Sequence, residues 1–164
     1  MSESLEFNIN GLEELLDALL YEGYAYKDFT DISDDEIEAA YALAYNYLQY
    51  GKFDKSEKLF QFLCKLDHYQ ARFFMGLGLS RQMQKKFAEA IDSYGVAGVL
   101  GMDDPMPAFR SAECYMLLGD HELAMSGAFS AQQRSKGKEE YEKIYTQATH
   151  LLEYLETLDV GTEG

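Results

Sequence analysis

A register of 34 residues runs without insertion from Ile37 to Lys138. Cut at that period, the chain yields three windows, 37–70, 71–104 and 105–138. Position 8 of the windows holds Ala44, Gly78 and Ala112, and position 20 holds Ser56, Ala90 and Ala124. Small residues at two fixed positions let a pair of antiparallel helices approach closely. Larger residues also recur: Leu43, Leu77 and Ser111 at position 7; Ala40, Phe74 and Ala108 at position 4; Phe53, Phe87 and His121 at position 17; Phe60, Tyr94 and Ala128 at position 24. Position 15 reads Gly51, Lys85, Gly119, where the turn between the two helices falls. The third window is the most degenerate.

A helix–turn–helix unit repeated every 34 residues is the signature of the tetratricopeptide repeat. The expected fold is all-α: three tandem repeats of antiparallel helix pairs, flanked by an N-terminal helix and a C-terminal capping helix. Residues 1–36 are the N-terminal helix and its connection. Residues 37–138 are the repeats, and 139–164 the capping helix and tail. Within the repeats the pattern predicts helices over 34–50, 54–66, 70–85 and 87–100. A third pair comes next, with Asp104 as N-cap and Pro105 at the first helical position, running to 118 and then over 122–134. A last helix covers 139–158. Ser33 with Glu36 forms a capping box, and Asn10 with Glu13 resembles one. Gly95 and Gly98 weaken the helix that holds them, or admit a close neighbour.

Ahead of the repeats, Leu12, Leu15, Leu16, Leu19 and Leu20 fall at helical spacing. That stripe must be buried, either on the first repeat or against a second chain.

The charge balance excludes several functions. With 14 Lys and Arg against 29 Asp and Glu, the net charge is −15. Such a field repels nucleic acid and anionic membranes. No apolar run reaches membrane-spanning length, so direct membrane insertion is not expected. Cys64 and Cys114 lie in different repeats and read as free thiols in a reducing compartment. His68, His121 and His150 have no partners at metal-ligand spacing, and no phosphate-binding loop is present. Gly76 and Gly78 form a GxG, but inside a predicted helix with no preceding strand. The sequence therefore predicts no enzyme, cofactor or metal.

What remains is the inner face of the stack. Helical spacing assigns positions 2, 5, 9, 12 and 13 of each first helix to it. Position 5 reads Tyr41, Met75, Phe109; position 9 reads Tyr45, Leu79, Glu113; position 12 reads Leu48, Gln82, Met116; position 13 reads Gln49, Met83, Leu117. Arg72, at position 2, is the one basic residue in the set, which argues against a clamp for a peptide's terminal carboxylate. A face of Tyr, Met, Leu and Phe suits an extended apolar segment. The alternative is that it is filled by a terminal helix or a second protomer.

Several runs carry a more specific resemblance. They are Leu66-Asp67-His68-Tyr69, Arg72-Phe73-Phe74-Met75-Gly76-Leu77-Gly78, Tyr41-Ala42-Leu43-Ala44-Tyr45-Asn46 and the Gly51-Lys52-Phe53 turn. Together with Phe60-Gln61-Phe62-Leu63-Cys64 and Ala112-Glu113-Cys114, they resemble the class II chaperones of type III secretion, which serve translocator proteins. The resemblance covers roughly residues 10–155. It implies a cytoplasmic bacterial chaperone that holds hydrophobic pore-forming translocators soluble and secretion-competent before export. It implies a groove for a P-x-L-x-x-P-like client segment at Tyr41, Tyr45, Leu48, Phe53, Leu66, Leu77 and Tyr94. The first three coincide with the face derived above; the other four rest on the resemblance alone. The family often has Tyr where this chain has Leu48, and Leu77 also occupies a packing position. The resemblance further implies a homodimer through the N-terminal helix, with Leu12, Leu15, Leu16 and Leu19 as the contact. The alternative is a transcriptional co-regulator or scaffold of the same fold, acting with an AraC-like activator.

Overall fold

The computed structural model describes residues 25–160. Residues 12–20 with their leucines, the Asn10–Glu13 pair and the tail over 161–164 lie outside the described residues.

Among the described residues, a 3-10 turn, Tyr26–Phe29, leads into seven α-helices. They are α1 (Asp34–Gln49), α2 (Phe53–Leu66), α3 (Ala71–Met83), α4 (Phe87–Leu100), α5 (Met106–Leu118), α6 (His121–Ser135) and α7 (Glu142–Val160). A second 3-10 turn, Glu139–Tyr141, precedes α7. The predicted boundaries hold to within one or two residues through α6. At α5 the start moves: Pro105 is itself the N-cap, and Asp104 Oδ1 accepts from the Met106 amide at 2.9 Å. The last helix is displaced more, because residues 139–141 form the 3-10 turn. No described helix is long and apolar enough to cross a membrane.

Each helix packs on its neighbours in sequence. In addition α1 touches α3, and α5 touches α7, so the odd-numbered helices form one closely spaced layer. The even-numbered helices form the other. On the 34-residue register, α1/α2, α3/α4 and α5/α6 are the three repeats.

Local chemistry explains the boundaries. The Ser33 hydroxyl accepts from the Glu36 amide at 3.3 Å, and the Glu36 carboxylate accepts from the Ser33 amide at 2.8 Å. Two of the first-turn donors that a helix leaves unpaired are thus satisfied. The turn at position 15 has one geometry in all three repeats. Gly51, Lys85 and Gly119 have φ of 71°, 62° and 81°. For a residue with a Cβ the left-handed region costs about 1–2 kcal/mol. Lys85→Gly is therefore expected to stabilise the fold by about 0.5–1 kcal/mol, after allowance for glycine's greater freedom in the unfolded chain. Urea denaturation with an unchanged m value checks this.

The small residues lie at the helix crossings. Ala44, Ala112, Ser56, Ala90 and Ala124 are all fully buried. Gly76 and Gly78 serve as seats for aromatic rings: a Cβ on Gly76 would meet the Phe60 ring at 2.2 Å, and one on Gly78 the Tyr94 ring at 2.5 Å. By contrast α4 runs unbroken through Gly95 and Gly98, where a Cβ would meet nothing closer than 3.5 Å. The close approaches in this fold are thus at Gly76, Gly78 and Gly127, not in α4.

Buried polar groups tie the repeats together. The Ser56 hydroxyl donates to the Ala44 carbonyl at 2.9 Å and lies 2.8 Å from the Ser80 hydroxyl, which reaches the Gly76 carbonyl at 2.9 Å. Glu57, on α2, accepts from Arg81 at 3.1 Å, Gln84 at 2.8 Å and Lys86 at 2.7 Å. Burial alone would raise its pKa. The three donors outweigh that and hold the carboxyl below the usual glutamate range. Asp67 behaves likewise. Burial opposes ionisation there, but Lys27, Gln70 and the Tyr69 amide hold the carboxyl low. The Lys27–Asp67 contact, 3.0 Å, fastens the first 3-10 turn to the end of α2.

Candidate peptide-binding groove

The candidate groove is the outward side of α1, α3 and α5. Its register is visible in one ion pair. Arg72 and Glu38, separated by 34 residues, both stand at position 2 and join through two guanidinium–carboxylate hydrogen bonds. Equivalent positions on consecutive repeats therefore lie side by side. The pair also neutralises the one basic residue on this face. The Arg72 guanidinium then lies over the Tyr41 ring, 4.6 Å from its centroid.

The floor at the first repeat is aromatic. Tyr41 and Tyr45 meet edge to face at 5.0 Å, and Tyr45 stands against the buried Phe60 at 5.3 Å. Tyr41 also contacts Phe73, at 5.7 Å. Burial, together with the neighbouring Tyr41 hydroxyl, pushes the Tyr45 phenol well above the usual tyrosine range, so it stays neutral. Further along, the Gln82 amide donates to Glu113 at 3.3 Å and its carbonyl accepts from the Tyr94 hydroxyl at 2.6 Å. Arg110 closes that chain on Glu113 at 2.9 Å.

The twelve residues predicted for the groove divide into two groups. Tyr41, Tyr45, Leu48, Phe53, Met75, Leu79 and Met116 are half-buried, and Met83 is 51% exposed. These are the side chains an incoming segment could touch. Leu66, Leu77, Tyr94 and Phe109 are core residues, between 1% and 6% exposed. Leu66 ends α2, in the second layer, inside the cluster with Phe60 and Phe73. Leu77 faces that cluster from α3. Tyr94 seats its ring on Gly78 and presents only its hydroxyl toward the groove, through Gln82. Phe109 is covered by the last two helices: Ala131 of α6 and Ile144 and Ala148 of α7 pack on it. At the third repeat, then, a terminal helix does occupy part of the inner face. Leu12, Leu15, Leu16 and Leu19 lie outside the described residues.

The sequence argument placed Gln82 on this face but not its hydrogen bonds, and it did not name Glu38 as the partner of Arg72. The 34-residue separation of Glu38 from Arg72 was the available signal.

Cys64 and Cys114 are both buried, and burial pushes each thiol up to about 12. They are packing residues with little thiolate at neutral pH.

Paired helices in a 34-residue register, stacked in two layers around small residues, define a tetratricopeptide-repeat protein; the family profile described as tetratricopeptide repeat matches residues 73–104. Low calcium response locus protein H of Yersinia pestis is 37% identical over 138 residues, which are 84% of this chain and 82% of that protein. The chain belongs to the type III secretion translocator chaperones, a family without enzymatic activity. Two solved structures are also similar. One is a chain of a type III secretion complex from Aeromonas hydrophila, with a TM-score of 0.85 and 39% identity, covering 89% of this chain and 97% of that one. The other is the Yersinia enterocolitica chaperone SycD in complex with a peptide of the translocator YopD. Its TM-score is 0.76 at 38% identity, covering 79% of this chain and 99% of that one.

Proposed function

We propose that this chain is a holdase, working without ATP in the bacterial cytoplasm, that captures an extended apolar segment of a translocator along α1, α3 and α5. The client stays soluble and competent for export while that segment is shielded. The observation that carries the reading is the half-open strip of Tyr41, Tyr45, Leu48, Met75, Leu79 and Met83, whose one guanidinium is already neutralised by Glu38. An extended peptide brings backbone donors, alternating side chains and no net charge requirement. Tyr hydroxyls and the Gln82 amide can meet the former, and adaptable methionines the latter. The SycD complex with a YopD peptide supports the same mode of capture by a relative.

Titration of a fluorescently labelled peptide carrying P-x-L-x-x-P tests this. Saturable one-to-one binding is expected, abolished when the proline and leucine anchors are replaced by serine. Absence of saturable binding would reject the groove and favour a scaffold that uses its outer surface on a folded partner.

A further inference from the structure

The third repeat breaks the apolar character of the inner face at one position. Position 9 holds Tyr45 and Leu79 in the first two repeats and Glu113 in the third. The Glu113 side chain is 28% exposed, and that of Arg110, one turn earlier on α5, is 34% exposed. A buried hydroxyl sets the geometry here. Tyr94, a core residue, donates to the Gln82 carbonyl oxygen at 2.6 Å. That bond leaves the Gln82 amide nitrogen to face Glu113. Gln82 at 3.3 Å and Arg110 at 2.9 Å both donate to the same carboxylate oxygen, Oε2. Among the described residues nothing donates to Oε1. No unpartnered side-chain oxygen is buried among those residues either, so Oε1 is open to an incoming donor.

Arg110 restricts what that donor can be. Its guanidinium already balances the carboxylate, so a client lysine or arginine would approach a like charge. A client carboxylate would meet Oε1 with no proton between them. An apolar side chain would take Oε1 out of water and leave it unpaired. A neutral side chain with an N–H satisfies the oxygen, and a carboxamide can also accept from Arg110.

The spacing of the helices says where on the client this residue lies. Packed helices stand about 8–10 Å apart, so position 9 of α5 is about 16–20 Å from position 9 of α1. An extended chain crosses that distance in about five or six residues, at about 3.3 Å each. A P-x-L-x-x-P segment with one proline over Tyr45 therefore brings its other proline, or the residue just beyond it, to Glu113. Proline has no N–H to donate, which leaves the residue beyond.

Resting on the groove reading above, we propose that Glu113 is a specificity-determining residue. It accepts a hydrogen bond from a carboxamide side chain, Asn or Gln, on the residue that flanks the client's P-x-L-x-x-P segment at the third repeat. The first two repeats hold the anchors by apolar contact. The third fixes which end of the segment lies there, and in what register.

Isothermal titration of the full chain with two pairs of peptides tests this. Each pair carries Gln or Leu, placed directly before the first proline in one pair and directly after the last in the other. On one side the Gln peptide is expected to bind about tenfold tighter than the Leu peptide, the scale of one hydrogen bond to a charged group. On the other side the two bind alike. Glu113→Leu is expected to reverse the preference, with the Leu peptide bound at least as tightly as by wild type. Glu113→Gln keeps the shape with a weaker, neutral acceptor, and covers the case in which the leucine variant does not fold. It is expected to cut the preference to about threefold or less; an unchanged tenfold preference would overturn the part given to the carboxylate. A Lys flank is expected to bind no better than Leu, and tighter binding of Lys than of Gln would overturn the carboxamide in favour of a cation. Saturable binding with no difference between Gln and Leu on either side, or a preference that survives Glu113→Leu, would overturn the subsite and leave the groove standing. No saturable binding of any of these peptides would overturn both.

Discussion

Gly76→Ala is expected to destabilise the protein by about 3 kcal/mol, the upper end of what overpacking a filled core costs. The added Cβ would stand 2.2 Å from two atoms of the Phe60 ring. That ring cannot yield cheaply. Phe60 is fully buried, within 5.3 Å of Tyr45 and 6.0 Å of Tyr41, and shares its cluster with Leu63 and Phe73. Moving it would also displace both groove tyrosines, so the variant loses peptide binding along with stability. For a domain of this size the thermal midpoint falls by about 10 °C. Gly95→Ala supplies the opposite sign in the same experiment. Gly95 lies mid-helix with nothing within 4 Å of its would-be Cβ, and alanine there adds about 1 kcal/mol of stability through helix propensity. A midpoint for Gly76→Ala within 2–3 °C of wild type, about 1 kcal/mol, would show that the ring-on-glycine seat is not under compression.

How much of this was legible in the sequence depends on how local the determining constraint is. Positions 8 and 20 were legible because a helix crossing demands small residues whatever surrounds it, and Ala44, Ala112, Ser56, Ala90 and Ala124 are buried accordingly. The turn was legible at Gly51 and Gly119. Lys85, equivalent by register, takes the same left-handed backbone against its own preference, so period outweighs propensity there. Gly76 was visible only as half of a GxG, because its role depends on a ring 16 residues earlier in the preceding helix. The covering of Phe109 was hidden for a similar reason. Position 5 is open or closed according to the next helices in the stack, and Ile144 and Ala148 arrive from a helix beyond the repeats. Glu57 illustrates the limit for charge. Read alone it belongs on a polar face; its burial is tolerable only because Arg81, Gln84 and Lys86 converge on it from the next repeat.

Leu79→Glu combined with Met83→Glu is expected to weaken capture of the peptide at least about 100-fold, because two contact side chains that each contribute on the order of 2 kcal/mol are replaced by carboxylates. These positions are preferable to Tyr45 or Tyr41, whose rings support Phe60 and would confound binding with stability. Leu79 is half-buried and Met83 is half-exposed, and neither belongs to the buried clusters, so helicity and the thermal midpoint stay close to wild type. The direction is fixed by the groups that already border the strip. Glu38 is committed to Arg72, Glu113 to Arg110 and Gln82, and no basic side chain at the groove positions is left to neutralise two added charges. A bound apolar segment would have to desolvate them. Isothermal titration with the P-x-L-x-x-P peptide, and co-purification with a translocator in cells, read the effect at two levels. Loss of both with an unchanged circular dichroism spectrum locates capture on the α3 face. Retained affinity with an intact fold would move the client to the even-numbered helices, where Phe62 and Val99 are exposed by 45% and 74%, and the aromatic strip would then be structural support for the first two repeats.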